Sequence, residues 1–195
     1  RDGLYGIVRA MEAAERVGIR LVVGCEVSFS RPPAGGTDAG AAPSWSTLTL
    51  LVENHAGYSN LCRILTESHG LHAEERRKGQ KIEGLPRNVR AGLPLDRLCA
   101  HAEGLWALAH PLEEGSAIER LKQAFGARLS LAVHRHKDGS DRARIYWAES
   151  TSALYDVPIC ATNAVRFAAR EEKPVLDVLH CIREGVPLDR AGRQL

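Results

Sequence analysis

Short apolar runs rich in leucine and β-branched residues alternate along this chain with stretches whose apolar residues recur every third or fourth position, and that alternation restricts the fold more than any other feature. Residues 4–17 carry Ile7, Met11 and Ala14 at helical spacing, with Asp2 near the start and Gly18 placed to cap the end. A β-branched run follows at 19–23, Gly24 interrupts it, and Glu26-Val27-Ser28-Phe29 resumes in strand-like alternation. Residues 31–45, rich in Gly, Pro and Ala, read as a loop before a strand at 48–52. Asn54 then introduces a helix with Tyr58, Leu61, Cys62 and Leu65 on one face, and a polar stretch runs from Glu74 to Arg90. Helical signals at 95–102, around Ile118, Leu121 and Phe125, at 143–155, and around Val175, Val178, Leu179 and Ile182 alternate with strands at 105–109, 129–133 and 157–161. Strands separated by helices predict parallel βα units, in an open sheet or a barrel, with functional groups at the carboxyl ends of the strands.

With 195 residues, 44% hydrophobic and 26% charged, the chain has material for one sizeable core. A net charge of +2 does not mark a nucleic-acid binder, because such proteins concentrate positive charge on one face. No apolar run reaches the roughly 18 residues of a membrane span, and Arg1-Asp2-Gly3-Leu4-Tyr5-Gly6 lacks the order of a signal peptide, so a cytoplasmic protein with no membrane partner is expected. From the start on Arg1, inside what reads as a loop entering a helix, a piece of a longer protein is expected. Five widely spaced cysteines without a Cys-x-x-Cys pair are expected as reduced thiols.

Glu26, His110, His134, His136 and Asn163 fall at or just past expected strand ends. His134 and His136, two apart, share a face on a strand and with Glu26 and His110 make a mixed nitrogen and oxygen donor set for Zn, Mn or Fe. The same residues also read as surface or hydrogen-bonded histidines and as a glutamate paired with Arg or Lys. Arg76, Arg77, Lys78 and Lys81, followed by Arg87 and Arg90, are positioned for phosphate contact. Interleaved acids and missing aromatics also fit a solvated loop there. Neither a Gly-x-Ser-x-Gly elbow nor a phosphate-binding Gly-rich loop occurs.

Three stretches together resemble the PHP (polymerase and histidinol phosphatase) domain that opens bacterial C-family DNA polymerases. They are Asp2-Gly3-Leu4-Tyr5-Gly6 with Gly24-Cys25-Glu26; Leu50-Leu51-Val52-Glu53-Asn54 with Gly57-Tyr58-Ser59-Asn60-Leu61-Cys62-Arg63; and Ala161-Thr162-Asn163-Ala164-Val165-Arg166-Phe167 with Asp177-Val178-Leu179-His180-Cys181-Ile182-Arg183-Glu184-Gly185. Arg135-His136-Lys137-Asp138-Gly139 is similar to a stretch of the error-prone branch, with the replicative α subunit as the alternative. The resemblance implies an α/β fold, a distorted seven-stranded β/α barrel incomplete at its amino terminus. It implies one partial PHP domain over residues 1–195, with a linker after about Val186.

The resemblance implies that members with a full ligand set bind a metal cluster and have phosphoesterase or proofreading activity, with Zn or Mn as the metals such a site would take here. Here Arg1 stands where the family motif has His, Ala164 where it has Asp, Arg166 where active members have a second His, and Ala132 where Glu is often found. The amino-terminal His-x-His motif is missing, which leaves Glu26 and His136 as the metal positions of a vestigial site. The resemblance therefore implies a domain without catalytic residues or a cofactor of its own. The parent would be a Mg²⁺-dependent DNA polymerase of damage-induced lesion bypass, with DNA, a sliding clamp and mutagenesis accessory proteins as partners.

Overall fold

The computed structural model describes residues 2–31, 44–77, 92–111, 115–137 and 139–191, with the backbone alone at 75, 76, 115, 116, 183 and 184. In chain order the elements are α1 (Ile7–Val17), β1 (Gly24–Arg31), β2 (Ser44–Val52), α2 (His55–Arg77), β3 (Leu93–Pro94), α3 (Leu95–Cys99), β4 (Leu105–Ala109), α4 (Gly115–Phe125), β5 (Leu129–Val133), α5 (Asp141–Tyr155), β6 (Ile159–Ala161) and α6 (Lys173–Glu184). The bounds of β4 and β5 are those expected from sequence. Most of the loop expected at 31–45 lies outside the described residues.

Among the described residues one six-stranded sheet runs in the order β3-β1-β2-β4-β5-β6, the mixed α/β arrangement of a partial β/α barrel. The expected all-parallel pattern holds for β1 with β3, β4 with β5, and β5 with β6. Strand β2 corrects it, because it pairs antiparallel with both β1 and β4. β2 lies beside β1 as an antiparallel neighbour, a pairing that needs no helical crossover.

Alternation along each strand sorts the side chains onto two faces. One row crosses the sheet as Val27, Leu48, Ala109, Leu131 and Ile159, and a second as Cys25, Leu50, Ala107 and Leu129. Apart from Ile159, which is half exposed on β6, these residues are buried. They meet Leu61 and Ile64 of α2, Leu98 of α3, Ile118, Leu121 and Phe125 of α4, and Ala148 of α5. Each large aliphatic side chain withdrawn from water there contributes on the order of 1.5–3 kcal/mol. The opposite face carries the row Glu26, Thr49, Leu108 and Ser130, which is smaller and more polar.

Local caps fix the helices. Asn54 accepts a hydrogen bond from the Gly57 amide at 3.0 Å, as an N-cap should, and Gly18 and Gly185 end α1 and α6 in left-handed conformations. Gly57 and Gly104 pack backbone to backbone, so that a Cβ on Gly57 would lie 1.8 Å from the Gly104 carbonyl oxygen. The expected strand at 19–23 is not regular structure, and Gly24 starts β1 rather than interrupting it. Asp2 does not cap α1. Gly6 occupies the N-cap, while Asp2, 4% exposed, accepts hydrogen bonds from the Ser28 amide at 2.6 Å and the Ser28 hydroxyl at 2.9 Å. α1 and α6 form where the periodicity placed them, yet Val8, Met11, Val175, Leu179 and Ile182 stay exposed. Helical period is a local property, whereas cover for the apolar face has to come from elsewhere.

Candidate functional site

A cleft of about 250 Å³ opens on the polar face of the sheet, lined by Glu26, Thr49, Leu108, His110, Ala132, Thr162, Ala164, Val165 and Arg166. Strand pairing explains how residues so distant in sequence meet. Glu26 of β1 sits opposite Thr49 of β2, and Thr49 opposite Leu108 of β4, so three neighbouring strands supply one wall. His110 follows β4 directly, and its Nε2 lies 2.9 Å from the Thr49 hydroxyl. The loop after β6 brings Thr162, Ala164 and Arg166, and it begins with the Thr162 amide donating to the Val133 carbonyl at 2.7 Å. Ala164 adopts a left-handed φ of 43°, a conformation uncommon for a residue with a Cβ.

Of the residues singled out from sequence, Glu26 and His110 reach this cleft. His134 and His136 do not line it. Their rings lie side by side just past β5, with centroids 4.6 Å apart, and His136 Nε2 lies 2.8 Å from the Asn163 carbonyl oxygen. A carbonyl only accepts, so Nε2 carries the proton and its lone pair is not offered to a metal. Arg77 is exposed at the carboxyl end of α2, Arg76 is described in its backbone alone, and Lys78, Lys81, Arg87 and Arg90 lie outside the described residues. None of the cleft-lining residues comes from α2.

The donors facing the cleft do not fit the metal cluster that the resemblance implies. Ala132 and Ala164 have no side-chain ligating atoms, and Arg166 adds a permanent positive charge to the lining. Among the described residues no group of three or more His, Cys, Asp or Glu side chains stands close enough together to hold a metal ion. Thr49 and Leu108 went unrecognised in the sequence. Their signal is the alternation itself, because they face away from the buried Leu48, Leu50, Ala107 and Ala109.

Asp141 is a second feature that no motif revealed. Its carboxylate accepts the amides of His136 and Lys137 at 3.0 Å each and pairs with Arg144, which folds the loop after β5 onto the start of α5. Desolvation pushes this carboxyl up, but the amides of His136 and Lys137, with Arg144, outweigh it and hold it below the ordinary 3.8. Lys137 turns through a left-handed φ of 57° to make that loop.

The PHP domain profile matches residues 1–153. The chain is 39% identical over 199 residues to the error-prone DNA polymerase of Anaeromyxobacter sp. (strain K), covering 100% of this chain and 16% of that protein. It is 32% identical over 194 residues to the error-prone DNA polymerase of Pseudomonas fluorescens (strain Pf0-1), covering 98% of the chain and 16% of that protein. To the error-prone DNA polymerase of Xanthomonas axonopodis pv. citri (strain 306) it is 34% identical over 196 residues, with the same coverage of 98% and 16%. The chain thus spans about one sixth of the length of these curated relatives.

Proposed function

The chain belongs to the PHP domain family, and from that premise we propose that it is a non-catalytic structural platform within a longer, error-prone DNA polymerase. One observation carries the platform reading: the cleft that gathers Glu26 and His110 also gathers Ala132, Ala164 and Arg166, so it offers a cation too few donors and an opposing charge. Glu26 and His136 are then remnants of a ligand set, and hydrogen bonding of the kind made by Thr49 with His110 occupies the space instead. The platform comprises the whole chain as one unit, with residues beyond about Val186 leading away from it.

The parent's activity is read from relatives named error-prone DNA polymerases, which match 98–100% of the chain. Nucleotidyl transfer by the parent would use carboxylates holding two Mg²⁺ ions, supplied by a domain outside these 195 residues. DNA, a sliding clamp and mutagenesis accessory proteins would be its partners, in cytoplasmic lesion bypass after DNA damage. Among the described residues no helix is long and apolar enough to cross a membrane. A coding frame around the chain that closes without a carboxylate-bearing polymerase domain would remove the parent reading.

The platform is tested by elemental analysis of the purified chain after dialysis against metal-free buffer. Zn, Mn and Fe are expected well below one equivalent. A stoichiometric metal that disappears on Glu26→Gln would restore a metal-dependent phosphoesterase and overturn the platform.

A further inference from the structure

The loops at the carboxyl ends of β5 and β6 lie side by side because those strands are parallel neighbours, with Val133 opposite Ala161. The hydrogen bond from His136 Nε2 to the Asn163 carbonyl ties one loop to the other. Asp141 holds the first loop against α5. This corner presents Arg135, Lys137, Arg142 and Arg166, all exposed. None of these four side chains makes a hydrogen bond or ion pair with another described residue. Asp138 follows Lys137 in the sequence and lies outside the described residues; Asp141, beside Arg142, is already engaged by two amides and Arg144. Tyr146 lies four residues after Arg142, on the same face of α5, and is 73% exposed. Glu149, one turn further on, is also exposed and marks where the basic face ends.

We propose that this corner is a binding surface for single-stranded nucleic acid, with Arg135, Lys137, Arg142 and Arg166 on the phosphates and Tyr146 as a stacking platform for a base. Cations without an ion pair among the described residues lose none of those pairs on meeting a phosphate, and their binding releases counterions. An exposed aromatic ring beside them supplies the sequence-tolerant contact that separates single strands, whose bases are open, from a duplex. Arg166 also lines the cleft, so a backbone crossing this corner passes the cleft mouth. The surface is distinct from Arg76, Arg77 and Lys78, and it does not depend on the platform reading, since no metal takes part in it.

The test is fluorescence anisotropy of a labelled oligothymidylate of about 16 nucleotides, a length within reach of one binding module. The 195-residue chain is titrated across a salt series, with an unlabelled duplex of equal length as competitor. Salt-dependent binding is expected, competed poorly by the duplex. Arg142→Ala with Arg166→Ala should reduce the log–log salt slope by roughly 1.4, two contacts at about 0.7 each. Tyr146→Ala should weaken binding at least roughly fivefold while Tyr146→Phe keeps most of it. All these positions are exposed, so the variants should melt with the parent chain. No salt-dependent binding, preference for the duplex, or loss on Arg76→Ala with Arg77→Ala in place of Arg142 and Arg166 would each overturn the proposal.

Discussion

Gly57 and Gly70 sit on the same helix, α2, and the same substitution should move stability in opposite directions. Glycine inside a helix costs about 1 kcal/mol relative to alanine, so propensity alone favours alanine at both positions. At Gly70 nothing lies within 4 Å of an added Cβ, and Gly70→Ala is expected to stabilise by about 1 kcal/mol. At Gly57 the added Cβ would sit 1.8 Å from the carbonyl oxygen and 2.5 Å from the carbonyl carbon of Gly104, both backbone atoms. Gly104 cannot rotate away easily, because it holds a left-handed φ of 68° and a Cβ of its own would strike Asn54.

The clash can be relieved only by separating the start of α2 from the turn before β4. That strains the hydrogen bonds from the Glu53 amide to the Gly104 carbonyl at 3.0 Å and from Asn60 Nδ2 to the Glu103 carbonyl at 2.9 Å. Two such bonds at about 1 kcal/mol each, plus loosened packing around Leu61 and Leu105, give a net loss of about 3–4 kcal/mol after the propensity gain. For a domain of this size that corresponds to a fall in Tm of roughly 8–14 °C. Urea denaturation of the two variants beside the parent chain measures both signs at once. A Gly57→Ala protein as stable as the parent, or a Gly70→Ala protein destabilised equally, would refute the close-approach argument.

Three further outcomes are expected. Burial raises the Cys99 thiol from 9.0 to about 11, so an unfolded chain releases this proton first. Stability should therefore fall as pH rises from about 9 toward 11, and Cys99→Ala should flatten that slope in denaturation curves taken at each pH. Asp141 has the opposite sign: with its carboxyl held below 3.8, its contribution is present above that value and is lost as pH falls through the folded one. Asp141→Asn should accordingly weaken acid sensitivity below pH 4 and raise hydrogen exchange at the His136 and Lys137 amides, read by mass spectrometry. Ile118, 1% exposed in the core, should lose about 2–5 kcal/mol on Ile118→Ala, whereas the exposed Ile182→Ala on α6 should change stability by less than about 1 kcal/mol.

Sequence alone determined the order and type of nearly every element, down to the bounds of β4 and β5, because apolar periodicity is written in neighbouring residues and survives without tertiary context. It also identified the family, since Gly57-Tyr58-Ser59-Asn60-Leu61-Cys62 and the segment around Glu26 resemble the family's motifs in its order, and the PHP domain match covers both. Residue identity likewise carried the proposal that ligands are replaced at 132, 164 and 166. Tertiary structure decided the direction of β2, because strand sense depends on how the chain returns rather than on composition. It decided that Asp2 anchors to Ser28 instead of capping α1, since a buried carboxylate goes where amide and hydroxyl donors converge. Above all it placed Glu26, Thr49, His110, Ala132 and Arg166 around one cleft and left His134 and His136 off its lining. Which loops share a strand end is set by hydrogen-bonded register between strands far apart in sequence, such as Leu48 with Ala109, and local pattern carries no record of that.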